Sequence, residues 1–272
     1  MRTFLAGLWR SPDFLRLWTG QTISLLGSHI GGGALRYTAI LVLGATPVQL
    51  SLLSAAALLP ALLLALPAGL WLDRVLRRPV LIGADVGRAL LLLSIPLAYA
   101  LGALRIEQLY AVAALVGVLT ILFDTAYPSY VPSVVRRDEL VEANSKLSAS
   151  DSLAEIAGPP LGGALVQALS APLAVVLDAL SFLASALALR GVRAIEPPPA
   201  PPAGQPGARQ ALAEGLAAVR ERPALTALLG VAVIQGVAGG IIGTLYDLYL
   251  IRELGLTPAL VGLTVGAGGI SA

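Results

Sequence analysis

Long apolar runs separated by short polar segments occupy almost the whole of this chain. Each run approaches or exceeds the roughly 20 residues that a helix needs to cross the hydrocarbon core of a membrane. The runs cover residues 14–44, 48–72, 79–101, 106–130, 141–169, 172–190 and 224–250, and a further run begins near Pro258. The pattern predicts an all-α integral membrane protein.

The composition agrees with this prediction and argues against several functions. Hydrophobic residues make up 57% of the chain and charged residues 12%, whereas a soluble domain carries about a quarter charged residues. Cysteine is absent, His29 is the single histidine, and the chain has no G-x-x-x-x-G-K-[ST] phosphate-binding run. We therefore expect no metal site, no cofactor and no enzymatic reaction.

Basic residues concentrate in alternate connections between the runs. The N-terminal segment and the connections near 73–79, 134–146 and 190–222 hold most of the arginines. Because basic loops stay on the cytoplasmic side, this distribution predicts a cytoplasmic N-terminus in a bacterial-type inner membrane. The basic residues lie between apolar runs rather than on one soluble face, so we expect the lipid bilayer and not nucleic acid as the partner.

A Pro-rich segment divides the chain into two parts. Residues 196–207, EPPPAPPAGQPG, predict an extended linker, and the following ARQALAEGLAAVRERP predicts an amphipathic helix at the membrane surface. We assign residues 1–190 to an N-terminal six-helix transmembrane bundle and 191–222 to the cytoplasmic linker and amphipathic helix. Residues 223–272 form the start of a C-terminal bundle.

The two parts are related by an internal repeat. A shift of 211 residues superposes 43–57 on 254–268, and Pro12 on Pro223. Chance similarity between two helix hairpins of biased composition is the alternative. Two units in the same orientation make a parallel repeat, and the second unit ends inside its second helix. We therefore expect this chain to be the first part of a protein of about twelve helices.

The connection after the second run carries a motif. Gly69, Asp73, Arg74, Arg77 and Arg78 follow the spacing G-x-x-x-D-R-x-x-R-R, which resembles the cytoplasmic signature of the major facilitator superfamily. A plain basic loop explains the arginines but neither Gly69 nor Asp73. We expect Gly69 to allow close approach of the second and third helices.

The resemblance implies a fold and a mechanism. The fold is the major facilitator fold, here a six-helix bundle plus the first one to two helices of a truncated second bundle. Transport proceeds by alternating access. The resemblance also implies that Asp73 meets a helix N-terminus and basic partners in the opposite half, and that these contacts latch the outward-facing state.

Further stretches are similar to one branch of that superfamily. Residues 84–98, 123–150 and 177–189 resemble the branch that contains the enterobactin exporter and macrolide efflux proteins. The fifth run contains Gly-Pro-Pro-Leu-Gly-Gly, which resembles the GPxxGG motif of antiporters and implies export; its motif residues are Gly158, Pro159, Gly162 and Gly163. Close helix packing without directional meaning is the alternative. The fourth run lacks the arginine of related drug:proton antiporters, so their coupling scheme does not transfer.

Charged residues inside the runs are costly and are therefore candidates for function. Arg36 and Asp247 fall at equivalent positions of the repeat. We expect both near the middle of the membrane, either paired between the halves or in contact with an ionic substrate. His29 is a candidate for titration near neutral pH, with a satisfied core histidine as the alternative. Gly31–Gly33 and Gly239–Gly240 are expected to interrupt the first and seventh helices.

Carboxylates in the fourth and fifth runs are candidates for carrying protons. Asp124 is expected near the cytoplasmic end of the fourth helix, and Asp151 and Glu155 are one turn apart on the fifth. Adjacent carboxylates repel each other, which favours binding of a proton; contacts with the basic loops are the alternative. Asp85 and Arg88 are expected to pair along the third helix.

Together these features predict a secondary active transporter. It exports small amphipathic molecules of the drug, macrolide or siderophore type by alternating access, driven by proton antiport. An importer or symporter of the same fold is one alternative. A truncated membrane protein that transports nothing is the other.

Overall fold

A computed structural model describes residues 7–198, 217 and 220–269. The long helices of these residues follow the predicted runs closely. They are α1 Pro12–Tyr37, α2 Pro47–Leu72, α3 Arg77–Ala100, α4 Ile106–Val134, α5 Leu140–Leu169, α6 Ala171–Gly191, α7 Pro223–Arg252 and α8 Pro258–Gly269. A π-helix at Thr38–Val42 extends α1. Most of the predicted linker and surface helix lies outside the described residues.

Proline and local capping determine where several helices begin. Pro12, Pro47 and Pro223 stand in the first turns of α1, α2 and α7, where the missing N–H costs nothing. At the start of α2, the Gln49 N–H donates to Thr46 Oγ1 at 3.3 Å, and the Thr46 N–H donates to Gln49 Oε1 at 2.8 Å. This capping box satisfies two donors that the helix leaves unpaired.

Two glycine turns have the same geometry at equivalent positions of the repeat. Gly44 precedes α2 with a φ of 63°, and Gly255 precedes α8 with a φ of 64°. Glycine adopts this left-handed conformation without the steric cost that a side chain imposes. The two hairpins therefore share backbone conformation as well as sequence.

The helices run alternately up and down, so their ends form two groups. Phe14, Leu72, Leu81, Tyr130 and Leu189 meet in one buried cluster, which joins the beginnings of α1 and α3 to the ends of α2, α4 and α6. We call this end, with the loops at 73–76 and 135–139, the basic end. A second cluster joins the other helix ends and includes the last turns of α7, and we call it the opposite end.

Each long helix packs mainly against one or two particular partners. α1 packs against α5 and α6, and α3 packs against α4 and α6. α2 packs mainly against α4, and α5 packs against α8. Large apolar side chains remain exposed on the outer faces, including Leu63, Leu90 and Leu187. An apolar outer surface is expected where lipid replaces water.

Several of these helices are suited to cross a membrane. Among the described residues, five stretches are long and apolar enough: Pro47–Ala65, Arg77–Ala100, Ile106–Val134, Ala171–Gly191 and Ile234–Arg252. The helices α1 and α5 are as long, with 26 and 30 residues, but contain more polar positions.

The expected helix interruptions are wrong. α1 continues through Gly31–Gly33, and α7 continues through Gly239–Gly240. In α1 the glycine instead permits close packing, because a methyl group at Gly31 would overlap the carboxylate of Asp178 on α6. Small residues have this role in many membrane helix pairs.

The expectation for Gly69 is also wrong. A methyl group at Gly69 would meet no atom within 4 Å. The reason is that α2 leans on α4 and not on α3, so the chain turns at 73–76 without bringing the backbones of α2 and α3 together at Gly69.

Candidate functional site

A cavity of about 520 Å³ lies between the N-terminal helices and the start of the second group. Residues of α1, α2, α7 and α8 line it. They are Arg36, Ser54, Leu58, Gly239, Gly240, Ile242, Gly243, Tyr246, Asp247, Thr264, Val265 and Gly268. The lining is mostly small or apolar, with one basic and one acidic side chain. Such a cavity suits a small amphipathic ligand.

Arg36 and Asp247 form an ion pair across this cavity. Arg36 Nε donates to Asp247 Oδ2 at 2.7 Å. The Asp247 side chain is 4% exposed, whereas that of Arg36 is 41% exposed. The pair lies near the ends of its helices: Asp247 is five residues, about 8 Å, from the last residue of α7. The expected position near the middle is therefore wrong, because α7 ends at Arg252 and the α-helical part of α1 ends at Tyr37, directly after Arg36.

A second contact joins α7 to the N-terminal helices at the opposite end. Arg252 Nη2 donates to the carbonyl oxygen of Ala45 at 2.9 Å, in the turn before α2. Among the α7 side chains that the structure describes, Asp247, Leu248 and Leu250 are the buried ones. The described contacts of α7 with the first six helices are thus concentrated at the opposite end.

The glycines of the Gly-Pro-Pro-Leu-Gly-Gly sequence bring three helices together. A methyl group at Gly163 would overlap the Pro258 carbonyl of α8, and one at Gly262 would overlap the Pro159 carbonyl of α5. On the other face of α5, Gly158 lies against His29 of α1, and Gly162 lies against the backbone of Ile30. The sequence therefore packs α5 between α1 and α8.

The charged residues of the loop with the major facilitator signature fall into two groups, one exposed and one bonded to neighbouring segments. Asp73 ends α2, is exposed, and makes no side-chain hydrogen bond or ion pair with the described residues. Arg74 is also exposed. Arg78 donates from Nε to the Leu189 carbonyl at 3.1 Å, and from Nη2 to the carbonyl of Arg190 at 2.7 Å. Arg78 thus caps the C-terminus of α6.

Glu196 caps the N-terminus of α3, which sequence reasoning missed. Its Oε1 accepts from the Arg77 N–H at 2.8 Å, and its Oε2 accepts from the Arg78 N–H at 3.1 Å. The Arg77 guanidinium lies 3.4 Å from the same carboxylate, whose side chain is 6% exposed. A carboxylate at a helix N-terminus is stabilised by unpaired N–H groups and by the helix dipole. The start of the linker is thereby tied to the signature loop.

A second cavity, of about 530 Å³, opens near the basic end. Gln21, Asp124, Tyr127, Asn144 and Asp151 contribute to its wall. Asp124 lies deeper than expected, because α4 continues to Val134 and places it ten residues, about 15 Å, from the helix end.

His29 and Glu155 are the remaining predicted residues, and neither lines this cavity. His29 Nε2 is 3.9 Å from Asp151 Oδ1, and the His29 side chain is partly exposed. His29 therefore faces a carboxylate rather than an apolar core. Glu155 is exposed and lines neither of the two large cavities. The described residues contain no group of three or more His, Asp or Glu suited to a metal ion.

Comparison with known proteins assigns the chain to a family. A sequence model of the Major Facilitator Superfamily matches residues 17–272. The chain belongs to this superfamily. It is therefore a multi-pass membrane protein of a transporter family and not of an enzyme class, and the all-α major facilitator fold is confirmed.

One curated relative is an uncharacterized MFS-type transporter, YfiS, of Bacillus subtilis (strain 168). It is 29% identical over 259 residues, which is 94% of this chain and 60% of that protein. Two crystal structures of a bacterial homolog to the human lysosomal transporter Spinster share the fold. Both are inward-facing, one unoccupied and one occupied.

The two structures match this superfamily member closely in fold and weakly in sequence. The unoccupied one has a TM-score of 0.73 at 18% identity, over 97% of this chain and 60% of that one. The occupied one has a TM-score of 0.73 at 16% identity, over 97% and 58%. The chain thus spans about 60% of the length of the relatives it matches.

Proposed function

We propose that this chain is the first part of a secondary transporter that exports small amphipathic molecules by alternating access with proton antiport. The observation that carries the proposal is the Arg36–Asp247 ion pair, which closes one end of a cavity of about 520 Å³ between two groups of helices. In alternating access the two groups of helices rock against each other, so contacts between them form in one state and break in the other.

The direction of transport is proposed from the α5–α8 contact. The antiporter-like residues Gly158, Pro159, Gly162 and Gly163 lie where α5 packs against α1 and α8. Small residues make this interface tight and smooth. Two helices with such an interface can move relative to each other without first separating large side chains. Export of drug, macrolide or siderophore compounds rests further on the resemblance to the enterobactin exporter and macrolide efflux branch.

Proton coupling is proposed from the cavity at the basic end. Asp124 and Asp151 line it, and His29 approaches Asp151. These groups are placed to exchange protons with water, and Glu155 lies one turn further along α5. In this proposal the basic end is cytoplasmic, so the N-terminus and the linker lie in the cytoplasm of a bacterial inner membrane.

The signature loop is proposed to govern the conformational switch. Gly69 belongs to the same motif, and the side chains of Asp73 and Arg74 make no hydrogen bond or ion pair with the described residues, while Arg77 and Arg78 hold α3 to α6 and the linker. Asp73 would meet the opposite half only in the outward-facing state. An importer of the same fold, or a membrane protein that transports nothing, gives different results in the assay below.

The test is efflux of dyes, macrolides and siderophores from cells that express the complete coding sequence. We expect protonophore-sensitive efflux of at least one compound. Asp73→Asn should slow efflux about two- to fivefold, the factor that corresponds to loss of one charge at a helix terminus. Asp138→Asn, which removes an exposed carboxylate from another basic loop, is the control and should leave efflux unchanged.

Two results would contradict the proposal. Accumulation of compounds inside the cells would indicate an importer. Absence of transport by a well-inserted protein, for every compound, would favour the membrane protein without transport activity.

A further inference from the structure

A polar cluster lies buried inside the first six helices, away from the ion pair and the signature loop. Its core is Asp85 and Arg88 of α3 and Asp178 of α6, which are 0%, 4% and 5% exposed. Asp85 and Arg88 form the ion pair that the sequence predicted. Asp178 was not singled out by the sequence. Burial of three ionisable side chains in an apolar bundle needs a specific reason.

The Arg88 guanidinium contacts two aromatic rings. Its Cζ lies 4.5 Å from the ring centroid of Phe123 on α4 and 4.0 Å from that of Phe182 on α6. Cation–π contacts of this kind fix the plane of the guanidinium. Arg88 Nε has no hydrogen-bond partner among the described residues, although it is fully buried. The positive charge is therefore positioned but not fully satisfied.

Asp178 approaches this charge from α6 and is itself closely confined. Its side chain lies against Gly27 and Gly31 of α1, where a methyl group would overlap it or its neighbour Ser181. Ser181 Oγ donates to its Oδ1 at 3.5 Å, and Ser28 of α1 lies in the wall of the same cavity as Asp178. Asp85 Oδ2 is buried and has no hydrogen-bond partner among the described residues.

The charges of the buried core do not balance. Two carboxylates, Asp85 and Asp178, face a single guanidinium, and Asp85 already pairs with it directly. A second buried carboxylate without a cation of its own is strongly disfavoured in a medium of low polarity. Uptake of one proton by Asp178 restores neutrality, and the hydroxyl group of Ser181 can hydrogen-bond to either form of the carboxyl group.

Two neighbouring cavities lie between Asp178 and the basic end. A cavity of about 290 Å³ is lined by Arg88, Asp124 and Asp178. The larger cavity at the basic end shares Gln21, Leu25 and Asp124 with it. Asp124 is exposed to these cavities and interacts electrostatically with Arg88.

We infer that Asp178 reversibly binds a proton inside the bundle, that Arg88 positions it, and that Asp124 exchanges the proton with the cavity at the basic end. Arg88 of α3 faces Asp178, and Asp85 of α3 and Asp124 of α4 act on the same guanidinium; α1 contributes the uncharged Gln21, Ser24 and Ser28. Use of this site to drive export rests on the proposed function.

Infrared spectroscopy of the full-length protein in lipid vesicles tests the site without a transport substrate. Aspartate labelled with ¹³C at its side-chain carboxyl marks the carbonyl stretch of protonated aspartic acids. We expect the wild-type protein to show one buried, label-sensitive band that disappears as the pH is raised. Asp178→Asn should lack the band, and the exposed-site control Asp138→Asn should keep it.

Two further variants distinguish loss of the proton site from misfolding and test the path of the proton. Asp178→Glu should keep a titrating band that no longer responds to labelled aspartate. Asp124→Asn should keep the band but slow its appearance severalfold after a pH jump.

Several results would overturn the inference. They are a wild-type protein without a label-sensitive band, a band unaffected by Asp178→Asn, a band abolished by Asp124→Asn, or a band removed by Na⁺ at constant pH. A band in a protein that exports nothing would support this site and count against the proposed function. Efflux without the band would support the proposed function and count against this site.

Discussion

Removal of one partner of the Arg36–Asp247 pair is expected to destabilise the contact between the two groups of helices unequally. Arg36→Gln leaves the Asp247 carboxylate, which is 4% exposed, buried without a cation. Asp247→Asn leaves Arg36, which is 41% exposed and able to reach water. Because an unpaired charge costs more where water cannot reach it, Arg36→Gln should be the more destabilising change.

The size of the coupling follows from the distance and the exposure. At 2.7 Å and an effective dielectric constant of about 20, the charges attract each other by about 6 kcal/mol before desolvation is counted. Breaking a fully buried pair costs about 3–5 kcal/mol, and breaking a surface pair about 0–1 kcal/mol. With one partner buried and the other half-exposed, we expect a coupling free energy of about 1–3 kcal/mol.

A double-mutant cycle measures this coupling directly. Arg36→Gln, Asp247→Asn and the double variant are unfolded reversibly in mixed detergent micelles and followed by fluorescence of the three tryptophans. The matched control is the same cycle on Arg136 and Asp138, whose side chains are 3.2 Å apart but 78% and 68% exposed. The control pair should give a coupling of about 0–1 kcal/mol.

The reasoning fails if the coupling of Arg36 to Asp247 is no larger than that of the control pair. It fails equally if Asp247→Asn destabilises the protein more than Arg36→Gln. The first result would mean that the ion pair does not hold the helices together in solution. The second would mean that the carboxylate, rather than the guanidinium, is the group with access to water.

Two further changes test the packing and the linker. Gly262→Ala should lower the free energy of unfolding by about 1–3 kcal/mol, because the added methyl group overlaps the Pro159 carbonyl. In the control Gly83→Ala the methyl group meets no atom within 4 Å, so stability should not change. Equal thermal midpoints for the two variants would contradict the packing. Glu196→Gln should lower the free energy of unfolding by about 0.5–2 kcal/mol and speed hydrogen exchange at the Arg77 amide. Unchanged exchange at that amide would rule out the cap.

Local signals in the sequence were sufficient to predict the helices. Apolar runs of membrane-spanning length, bounded by Pro and Gly, placed most helix ends within a few residues. The start of α7 at Pro223 is an example, since proline is compatible only with the first turn. One error of this kind is at the end of α4, which continues through Pro132 to Val134. Proline weakens a helix there without ending it, because neighbouring helices support the freed backbone groups.

Side chains whose partners come from distant parts of the chain were harder to predict. Glu196 stands at the edge of a Pro-rich segment, and its partners at Arg77 and Arg78 are more than a hundred residues away. Asp178 lies in an apolar run, and only the packing of α6 against α1 and α3 brings it to Arg88. One signal was available in each case: an isolated acidic residue beside or within a membrane span requires a partner.

Arg36 and Asp247 were singled out through the internal repeat, because local sequence patterns do not show which distant residues come together. In a structure built from two equivalent units around a twofold axis, equivalent residues of the two units touch only where they lie on that axis. Arg36 and Asp247 are separated by 211 residues, the same shift that superposes the two hairpins and their glycine turns. If the predicted repeat is symmetric in this way, the ion pair lies on its axis at the opposite end. Opposite charges at that position attract, whereas a strictly repeated residue would place like charges in contact. Divergence between the two units at this position is thus a physical requirement for closing that end with an ion pair.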